Sequence, residues 1–264
     1  MTELISQAGE DGIFVFDNVS SIDALSTMLN HDWLRASEGY VWRGHRKASW
    51  KLEPTLDRTV SISDPEAYSR AAETLLNRFQ LSARGRIPTV DVPQSPEDWW
   101  ALAQHHGLCT PLLDWTTSPY VAAFFAFAES RDDDEESRSI YMLHHPSLLR
   151  KATELGESGI HLFTPRVGHN ARLISQSGLF SQFPCATEIE SWVRLNFAGS
   201  QEIVLGKLEL PNSIRHSMLQ SLNKMNINYK MLFPDLEGAA KHVLLSLSVP
   251  RYLPTRRESE TSDF

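Results

Sequence analysis

Apolar residues recur at helical spacing in four segments of the chain, and a helix-start signal precedes each segment. The signals are the capping box Ser63-Asp64-Pro65-Glu66, the pairs Ser95-Pro96 and Ser118-Pro119, and Pro211. The apolar stripes that follow are Ala72, Leu75, Leu76 and Phe79; Trp99, Leu102, Ala103 and His106; residues 120–128; and Ile214, Met218, Leu222 and Met225. The third segment, YVAAFFAFA, is apolar on almost every side, which predicts a central, buried helix.

Runs rich in β-branched and aromatic residues predict the strands of a sheet. They are residues 12–19, 40–44, 111–117, 139–143, 191–197 and 202–210. Residues 165–184 join polar side chains to an apolar Gly-Leu-Phe, and we interpret them as one more strand with a polar side. Helices and strands are mixed without a regular βαβ order. We therefore predict a single α+β domain, residues 1–250, with a mixed, largely antiparallel sheet flanked by helices.

Polar segments predict the loops and the chain ends. Residues 86–96 contain three prolines, and residues 130–139 contain an acidic run that we interpret as a solvated loop. Residues 1–10 are expected to be a loose end, and residues 251–264 a polar C-terminal tail.

Composition and charge narrow the class of protein. The 264 residues are 41% hydrophobic and 22% charged, which is typical of a folded chain. The net charge of −8 argues against a broad basic surface that would coat nucleic acid. Two cysteines, Cys109 and Cys185, cannot build a disulfide framework. The N-terminus lacks a signal-peptide pattern, and no apolar run reaches the roughly 18 residues of a membrane helix. We expect a cytoplasmic protein with no membrane partner.

Several common catalytic motifs are missing from the sequence. It lacks GxxxxGK[ST], GxGxxG, HExxH and GxSxG, so the usual nucleotidase, dehydrogenase, zinc protease and α/β-hydrolase interpretations lose their main support. The neighbours His105-His106 and His144-His145 point in different directions, and we predict no metal site. Cys109 is interpreted as a small, buried residue rather than a nucleophile.

Arg43 stands at the end of a predicted strand, directly before Gly44. Its guanidinium donates parallel hydrogen bonds and keeps its charge, which suits a phosphate or a carboxylate. The turn Thr116-Thr117-Ser118 links a predicted strand to a predicted helix, and its hydroxyls and free N–H groups are typical of an anion site. Two structural alternatives stay open: a salt bridge for Arg43, and hydroxyls that only cap the helix.

Further candidates lie later in the chain. Gln176 is a candidate to orient a ribose hydroxyl or a base edge, with an ordinary surface glutamine as the alternative. Carboxylates that suit the stabilisation of a cationic transition state are those of Glu188, Glu190, Glu202 and Glu237.

Four blocks of the chain resemble the successive blocks of the FRG domain, which is named for a Phe-Arg-Gly signature. The blocks are WRGHRKASWKLEPTLDR, ALAQHHGLCTPLLDWTTSPYVAAFFAF, ARLISQSGLF and LFPDLEGAAKHV, and they extend from about residue 20 to residue 245. Trp42 replaces the signature phenylalanine and keeps an aromatic ring there. The residues that match the blocks are Arg43, Gly44, His105, Gly107, Leu113, Asp114, Trp115, Thr116 to Pro119, Gln176, Gly178, Phe233, Pro234, Asp235 and Gly238.

A looser resemblance implies a mechanism. An early arginine, a strand ending in hydroxyls before an apolar helix, and a late Gln or Glu are similar in order to the parts of ADP-ribosyltransferases. The resemblance implies that Arg43 grips NAD and that Thr117 braces the strand beside the nicotinamide ribose. Glu202, in SQEIVL, has the placement expected of the late catalytic residue, with Gln176 and Glu237 as alternatives. The implied NAD contacts are Arg43, Gly44, His105, Asp114, Trp115, Thr116, Thr117 and Ser118.

The resulting hypothesis is an NAD-dependent ADP-ribosyltransferase that modifies a macromolecular acceptor, either nucleic acid or protein. Proteins of this class occur among bacterial toxins and antiphage defence effectors, which implies an antitoxin or another regulatory partner. Two alternatives are kept: a noncatalytic module that binds a nucleotide or a nucleic acid, and an NAD hydrolase.

Overall fold

One mixed sheet of eight strands crosses the part of the chain that the structure describes. This computed structural model describes residues 7–9, 11–17, 19–35, 38–60, 62–156, 160–165, 171–184 and 187–253. The strands are β1 (Gln7–Ala8), β2 (Asp11–Phe16), β3 (Tyr40–His45), β4 (Leu112–Thr116), β5 (Ser137–His144), β6 (His161–Phe163), β7 (Gly178–Gln182) and β8 (Ser200–Pro211). Their order is β1-β2-β8-β5-β3-β4-β7-β6, and among these described strands only β2 and β8 run parallel. The predicted α+β fold with a largely antiparallel sheet is confirmed.

Helices cover both faces of this sheet. They are α1 (Ile22–Leu29), α2 (Asp32–Arg35), α3 (Thr55–Thr59), α4 (Pro65–Ala83), α5 (Pro96–His105), α6 (Pro119–Phe127), α7 (His145–Leu155), α8 (Ala171–Ser175), α9 (Ile189–Asn196), α10 (Arg215–Lys224), α11 (Tyr229–Leu232) and α12 (Leu236–Ser248). The first face, which includes Trp42 and Met142, packs against α1, α2, α6 and α10–α12, and α4 and α5 cover its β4–β7 end. The second face, which includes Val41 and Tyr141, packs against α7 and α9.

The predicted helix starts are confirmed, with one shift of the capping residue. Asp64, rather than Ser63, caps α4 by accepting from the N–H of Ala67 at 2.7 Å. Ser95 and Ser118 cap α5 and α6, and a proline follows each of them in the first turn, where a missing N–H costs nothing.

Helix α6 is buried nearly all round, as its composition predicts. It lies against β3 at Gly44, where an added Cβ would come within 2.6 Å of the Ala126 nitrogen and even closer to the Ala122 carbonyl oxygen. Two buried arginines cover the C-terminal carbonyls of the helix: Arg138 donates to the carbonyl of Ala126 and Arg215 to that of Phe127. Orphan carbonyls of a buried helix end need such donors.

The acidic segment 130–139 is only partly the solvated loop that we predicted. Ser137 already begins β5. The carboxylate of Asp134 is 9% exposed and lies 2.5 Å from Nη1 of Arg46 and 2.6 Å from Nη2 of the fully buried Arg138. A buried charge requires an opposite charge beside it, so part of the acidic run is structural.

One predicted strand is wrong, and another is confirmed only in part. Residues 191–197 lie mostly in α9, where Ile189, Trp192 and Val193 are buried at helical spacing. Within the described part of 165–184, Ala171–Ser175 forms α8 and Gly178–Gln182 forms a strand. The β-branched and aromatic composition favoured a strand in 191–197, but the three-four spacing of its buried positions determines a helix.

The chain ends differ somewhat from the prediction. Residues 7 and 8 of the expected loose end pair with β2. Tyr252 is 3% exposed and packs with the core beyond the predicted boundary at 250. The rest of the predicted tail, residues 254–264, lies outside the described residues, as does Cys185.

Candidate functional site

A cleft of about 520 Å³ opens on the first face of the sheet, above β3 and β4. The residues at its floor are Trp42, Arg43, Gly44, Asp114, Trp115 and Thr116. One wall is α5, through Gln104 and His105. The opposite wall is formed by α6 and the segment 229–241. The volume lies within the range of about 300–1,000 Å³ that is usual for small-molecule sites.

The cleft coincides with an opening in the sheet between β3 and β4. These strands share a single backbone pair, Trp42 opposite Thr116, among the residues that the structure describes, whereas β3 and β5 share six pairs. Past this pair, Nη1 of Arg43 donates to the carbonyl oxygen of Asp114 at 2.7 Å and lies 3.4 Å from its carboxylate. A side chain therefore replaces strand-to-strand hydrogen bonds at this point.

His45 fixes the other edge of the Arg43 guanidinium. Nε of Arg43 donates to Nε2 of His45 at 2.9 Å, which requires a neutral imidazole with its proton on Nδ1. That Nδ1–H faces the carbonyl oxygen of Trp50 at 3.3 Å. Burial, and then the charge of Arg43, lower the pKa of His45 to about 3. The imidazole is thus a neutral acceptor at neutral pH, and the guanidinium is held from two sides while its side chain remains 19% exposed.

The other cationic groups at the cleft have acidic partners as well. Arg172 lies 2.6 Å from Asp235 and 2.7 Å from Glu237, and Lys241 lies 2.8 Å from Glu237. Arg46 contacts Asp133 and Asp134. The carboxylates of Asp114 and Glu129 also line the cleft. The cleft therefore presents positive and negative groups side by side rather than a surplus of positive charge.

Aromatic rings make up much of the remaining lining. They belong to Trp42, Trp50, Trp115, Phe125, Phe180, Tyr229 and Phe233. The guanidinium of Arg172 lies 5.1 Å from the ring centroid of Phe233, and Nζ of Lys241 lies 5.8 Å from the same centroid. Such rings supply flat apolar surface on which a heterocyclic base can stack.

The structure brings together most of the residues that the sequence nominated. Those that line the cleft are Arg43, Gly44, His105, Asp114, Trp115, Thr116 and Gln176. The side-chain amide of Gln176 donates to the carbonyl of Leu232 at 3.1 Å and so links the cleft to the segment before α12. Burial lowers the pKa of His105, which favours its neutral form.

The predicted hydroxyl turn is largely used by the protein itself. Thr116 Oγ1 donates to the carbonyl of Gln176 at 2.7 Å, and Ser118 Oγ accepts from the N–H of Val121. Thr117 is exposed, its N–H donates to the carbonyl of Ser177, and it is not among the described residues that line the cleft. Of the two interpretations of this turn, an anion site and a helix cap, Ser118 fits the helix cap.

Of the late acidic candidates, Glu237 lies nearest to the cleft. It binds Arg172 and Lys241, which both line the cleft. Glu202 lies elsewhere: its carboxylate accepts from Ser147 and lies 2.9 Å from Arg150, and it is not among the described lining residues. Its position in the sequence predicted a place in the site, but Glu202 lies near the start of β8, where its neighbours are Ser147 and Arg150 of α7.

Several lining residues were not identified from the sequence. Gln104, Phe125, Glu129, Tyr229 and Lys241 come from helices or their ends and carry no motif by themselves. Lys241 and Tyr229 become recognisable only once α11 and α12 are known to border the same cleft as β3. Within the described ranges, no cluster of three His, Cys, Asp or Glu side chains could hold a metal ion.

Comparison with known proteins identifies one family. The FRG domain model matches residues 38–135 of the chain. The matched region runs from β3 through the acidic segment and contains Arg43, Gly44, His105 and Asp114. No curated protein and no solved structure matches the chain. Within the described residues, no helix combines the length and apolarity that crossing a membrane demands.

Proposed function

We propose that this chain, which matches the FRG domain model over residues 38–135, binds NAD in the cleft and transfers its ADP-ribose group to a macromolecular acceptor. The observation that carries the proposal is the opening between β3 and β4, where Arg43 borders a cleft lined by aromatic rings and carboxylates. This combination supports a ligand that is at once anionic, aromatic and cationic.

The charge balance of the cleft favours a dinucleotide over a nucleic acid. A polyanion needs a surplus of unpaired cations, since its affinity comes from neutralised phosphates. Here each of Arg43, Arg46, Arg172 and Lys241 has a carboxylate beside it. NAD carries a pyrophosphate, two ring systems and a cationic nicotinamide ring. Arg43 suits the pyrophosphate, the aromatic walls suit the rings, and Asp114 or Glu129 suits the nicotinamide cation.

The reaction breaks the bond between the ribose C1′ and the nicotinamide nitrogen. The bonding electron pair leaves with nicotinamide, which becomes neutral, and the ribose passes through an oxocarbenium-like state. The acceptor contributes a lone pair to C1′ and loses a proton to a base or to water. A carboxylate near C1′ stabilises the developing positive charge. In this proposal Arg43 and Gln176 position the dinucleotide, and the carboxylates at the cleft supply the electrostatic stabilisation.

Calorimetry and a transfer assay test this function. Purified protein is titrated with NAD, then incubated with labelled NAD together with DNA, RNA or a cell lysate. Arg43→Lys keeps the charge but loses the fork that binds His45 and Asp114, and we expect NAD affinity to fall at least tenfold. The matched control is Arg70→Lys on α4. The Arg70 side chain is 66% exposed and pairs with Glu66, so the NAD affinity of this variant should equal that of the wild type.

Because Arg43→Lys also perturbs the fold, Asp114→Asn provides a second variant. The Asp114 side chain is 60% exposed, and an amide still accepts from Gln104, so folding should persist while NAD binding weakens. Absence of NAD binding and of transfer to every acceptor tested would refute the proposal. Release of free ADP-ribose without labelled acceptor would instead identify an NAD hydrolase.

A noncatalytic nucleotide-binding module is the second candidate. The hydrogen bonds of two carboxylates that line the cleft favour it. Asp114 already accepts from Gln104, and Glu129 already accepts from Arg131, so both are engaged within the protein. In that case NAD or another nucleotide binds without turnover. Glu237→Gln and Gln176→Ala would then leave the cellular effect of the protein intact, whereas Arg43→Lys would abolish it.

A further inference from the structure

Helix α12 carries apolar residues on two opposite faces. Its inner face packs against the core through Gly238 and Leu245. Four large apolar side chains on the outer face remain exposed: Leu236 at 88%, Val243 at 58%, Leu244 at 61% and Leu247 at 83%. A surface helix of a globular protein normally has one apolar stripe and a polar opposite face. Among the residues that the structure describes, none covers this second stripe of α12.

The outer stripe contains no charged residue. Ala239 and Ala240 complete it, and both are exposed. At its border, Glu237 and Lys241 neutralise one another at 2.8 Å. The adjoining α11, which packs against α12, adds the exposed Met231. At roughly 150 Å² for each fully exposed aliphatic side chain, the stripe and Met231 present on the order of 500 Å² of apolar surface. This is the size of the largest apolar patch on a typical monomer, and such patches often serve a function.

We propose that this stripe is a homodimer interface in which α12 packs antiparallel against α12 of a second copy. The residues of the stripe lie symmetrically about the point between Lys241 and His242. An antiparallel pair centred there places Leu236 opposite Leu247 of the other helix, Ala240 opposite Val243, and Ala239 opposite Leu244. Each alanine faces a larger side chain, so ridges meet grooves at both ends of the contact.

The charge and the size of the stripe both favour a second copy as the occupant. An uncharged surface offers nothing to a basic or an acidic partner, whereas it is complementary to itself. Two copies would bury about 1,000 Å² in total, which is near the lower limit for specific interfaces. We therefore expect a dimer that dissociates in the micromolar range. The inference does not depend on the ligand of the cleft, because no residue of the stripe is among the described residues that line the cleft.

Sedimentation velocity over a hundredfold range of concentration tests the dimer. The wild-type protein should shift from monomer to dimer, and Leu247→Glu or Val243→Glu should raise the dissociation constant at least tenfold. Leu195→Glu is the matched control, because Leu195 is 78% exposed on α9 and lies outside the stripe. Its dissociation constant should equal that of the wild type.

Disulfide cross-linking tests the antiparallel register in a chain whose Cys109 and Cys185 have been replaced by serine. Leu236→Cys combined with Leu247→Cys should form covalent dimers. Leu236→Cys alone should not, because the two copies of residue 236 would be about 16 Å apart along the helix axis alone, and a disulfide requires Cα atoms within about 7 Å. A wild-type protein that stays monomeric over the whole concentration range would overturn the proposal. Binding to lipid vesicles by such a monomer would instead identify a membrane surface as the occupant of the stripe. Cross-linking by the single variant would overturn the antiparallel arrangement.

Discussion

Replacing Gly44 by alanine should destabilise the protein strongly, although the ADP-ribosyltransferase resemblance implies that glycine at this position contacts a ligand. Gly44 lines the cleft, so a loss of ligand approach is the functional explanation of the signature. The structure offers a packing explanation instead. A Cβ at residue 44 would lie 2.6 Å from the Ala126 nitrogen and closer still to the Ala122 carbonyl oxygen, and both are backbone atoms that cannot rotate away.

The size of the effect follows from the response of α6. A carbon requires about 3.5 Å or more from a neighbouring heavy atom, so the helix must retreat by at least roughly 1 Å. A gap of that size removes up to about half of the attraction at each contact along the β3–α6 interface. We expect a loss of at least about 3 kcal/mol in the free energy of unfolding, which corresponds to a fall of roughly 6–12 °C in Tm for a chain of this size.

The matched control is Gly206→Ala on β8 of the same sheet. There an added Cβ would meet only side-chain atoms of Met142, at 2.7 to 3.1 Å. Met142 is fully buried, but its side chain can shift where a backbone cannot, so the control should lose about 1–2 kcal/mol, less than Gly44→Ala. Urea denaturation of both variants measures the difference. If Gly44→Ala unfolds within about 1 kcal/mol of the control yet no longer binds NAD, the packing explanation is refuted and the ligand explanation holds.

Three further outcomes are expected. Asp134→Asn removes the carboxylate 2.6 Å from the fully buried Arg138 and should cost about 3–5 kcal/mol in urea denaturation, whereas the exposed Asp132→Asn should cost about 0.5 kcal/mol or less. His45 has a pKa of about 3 in the folded protein against 6.5 in the unfolded chain, so between these values the unfolded state binds the extra proton and stability should fall by about 1.4 kcal/mol per pH unit as the pH drops. His45→Gln should flatten that pH dependence of unfolding by about one proton, and an unchanged slope would contradict the assigned burial. Glu202→Gln should leave NAD affinity in calorimetry within twofold of the wild type, because Glu202 binds Arg150 and Ser147 instead of lining the cleft.

Local signals in the sequence predicted local structure well. The caps at Ser95 and Ser118 and the apolar segment of α6 depend on neighbouring residues, and all three are confirmed. Residues 191–197 failed because their composition favours a strand while their buried positions have helical spacing. The pairing of Asp134 with Arg46 and Arg138 could not be anticipated, since an acidic run reads as solvated until its partners are known.

In the candidate site, too, the sequence identified individual residues, whereas their contacts depended on the tertiary structure. Arg43 was identified from its position at a strand end, Gly44, His105 and Asp114 were identified through the FRG resemblance, and the family match covers all four. The side chains that Arg43 contacts, and the choice between Glu237 and Glu202, depend on which strands and helices become neighbours. Glu202 was placed by order along the chain, which does not specify distance in space.

By itself, the sequence determined the helix starts, the buried α6, the mixed sheet and the signature that marks residues 38–135. Each of these depends on contacts within a few residues or on a pattern along the chain. Only the tertiary structure decided that β3 and β4 separate after one pair, that Arg43 fills the opening, and that α12 keeps an uncovered apolar face. These features arise from contacts between residues far apart in sequence, and the packing of the whole chain selects them.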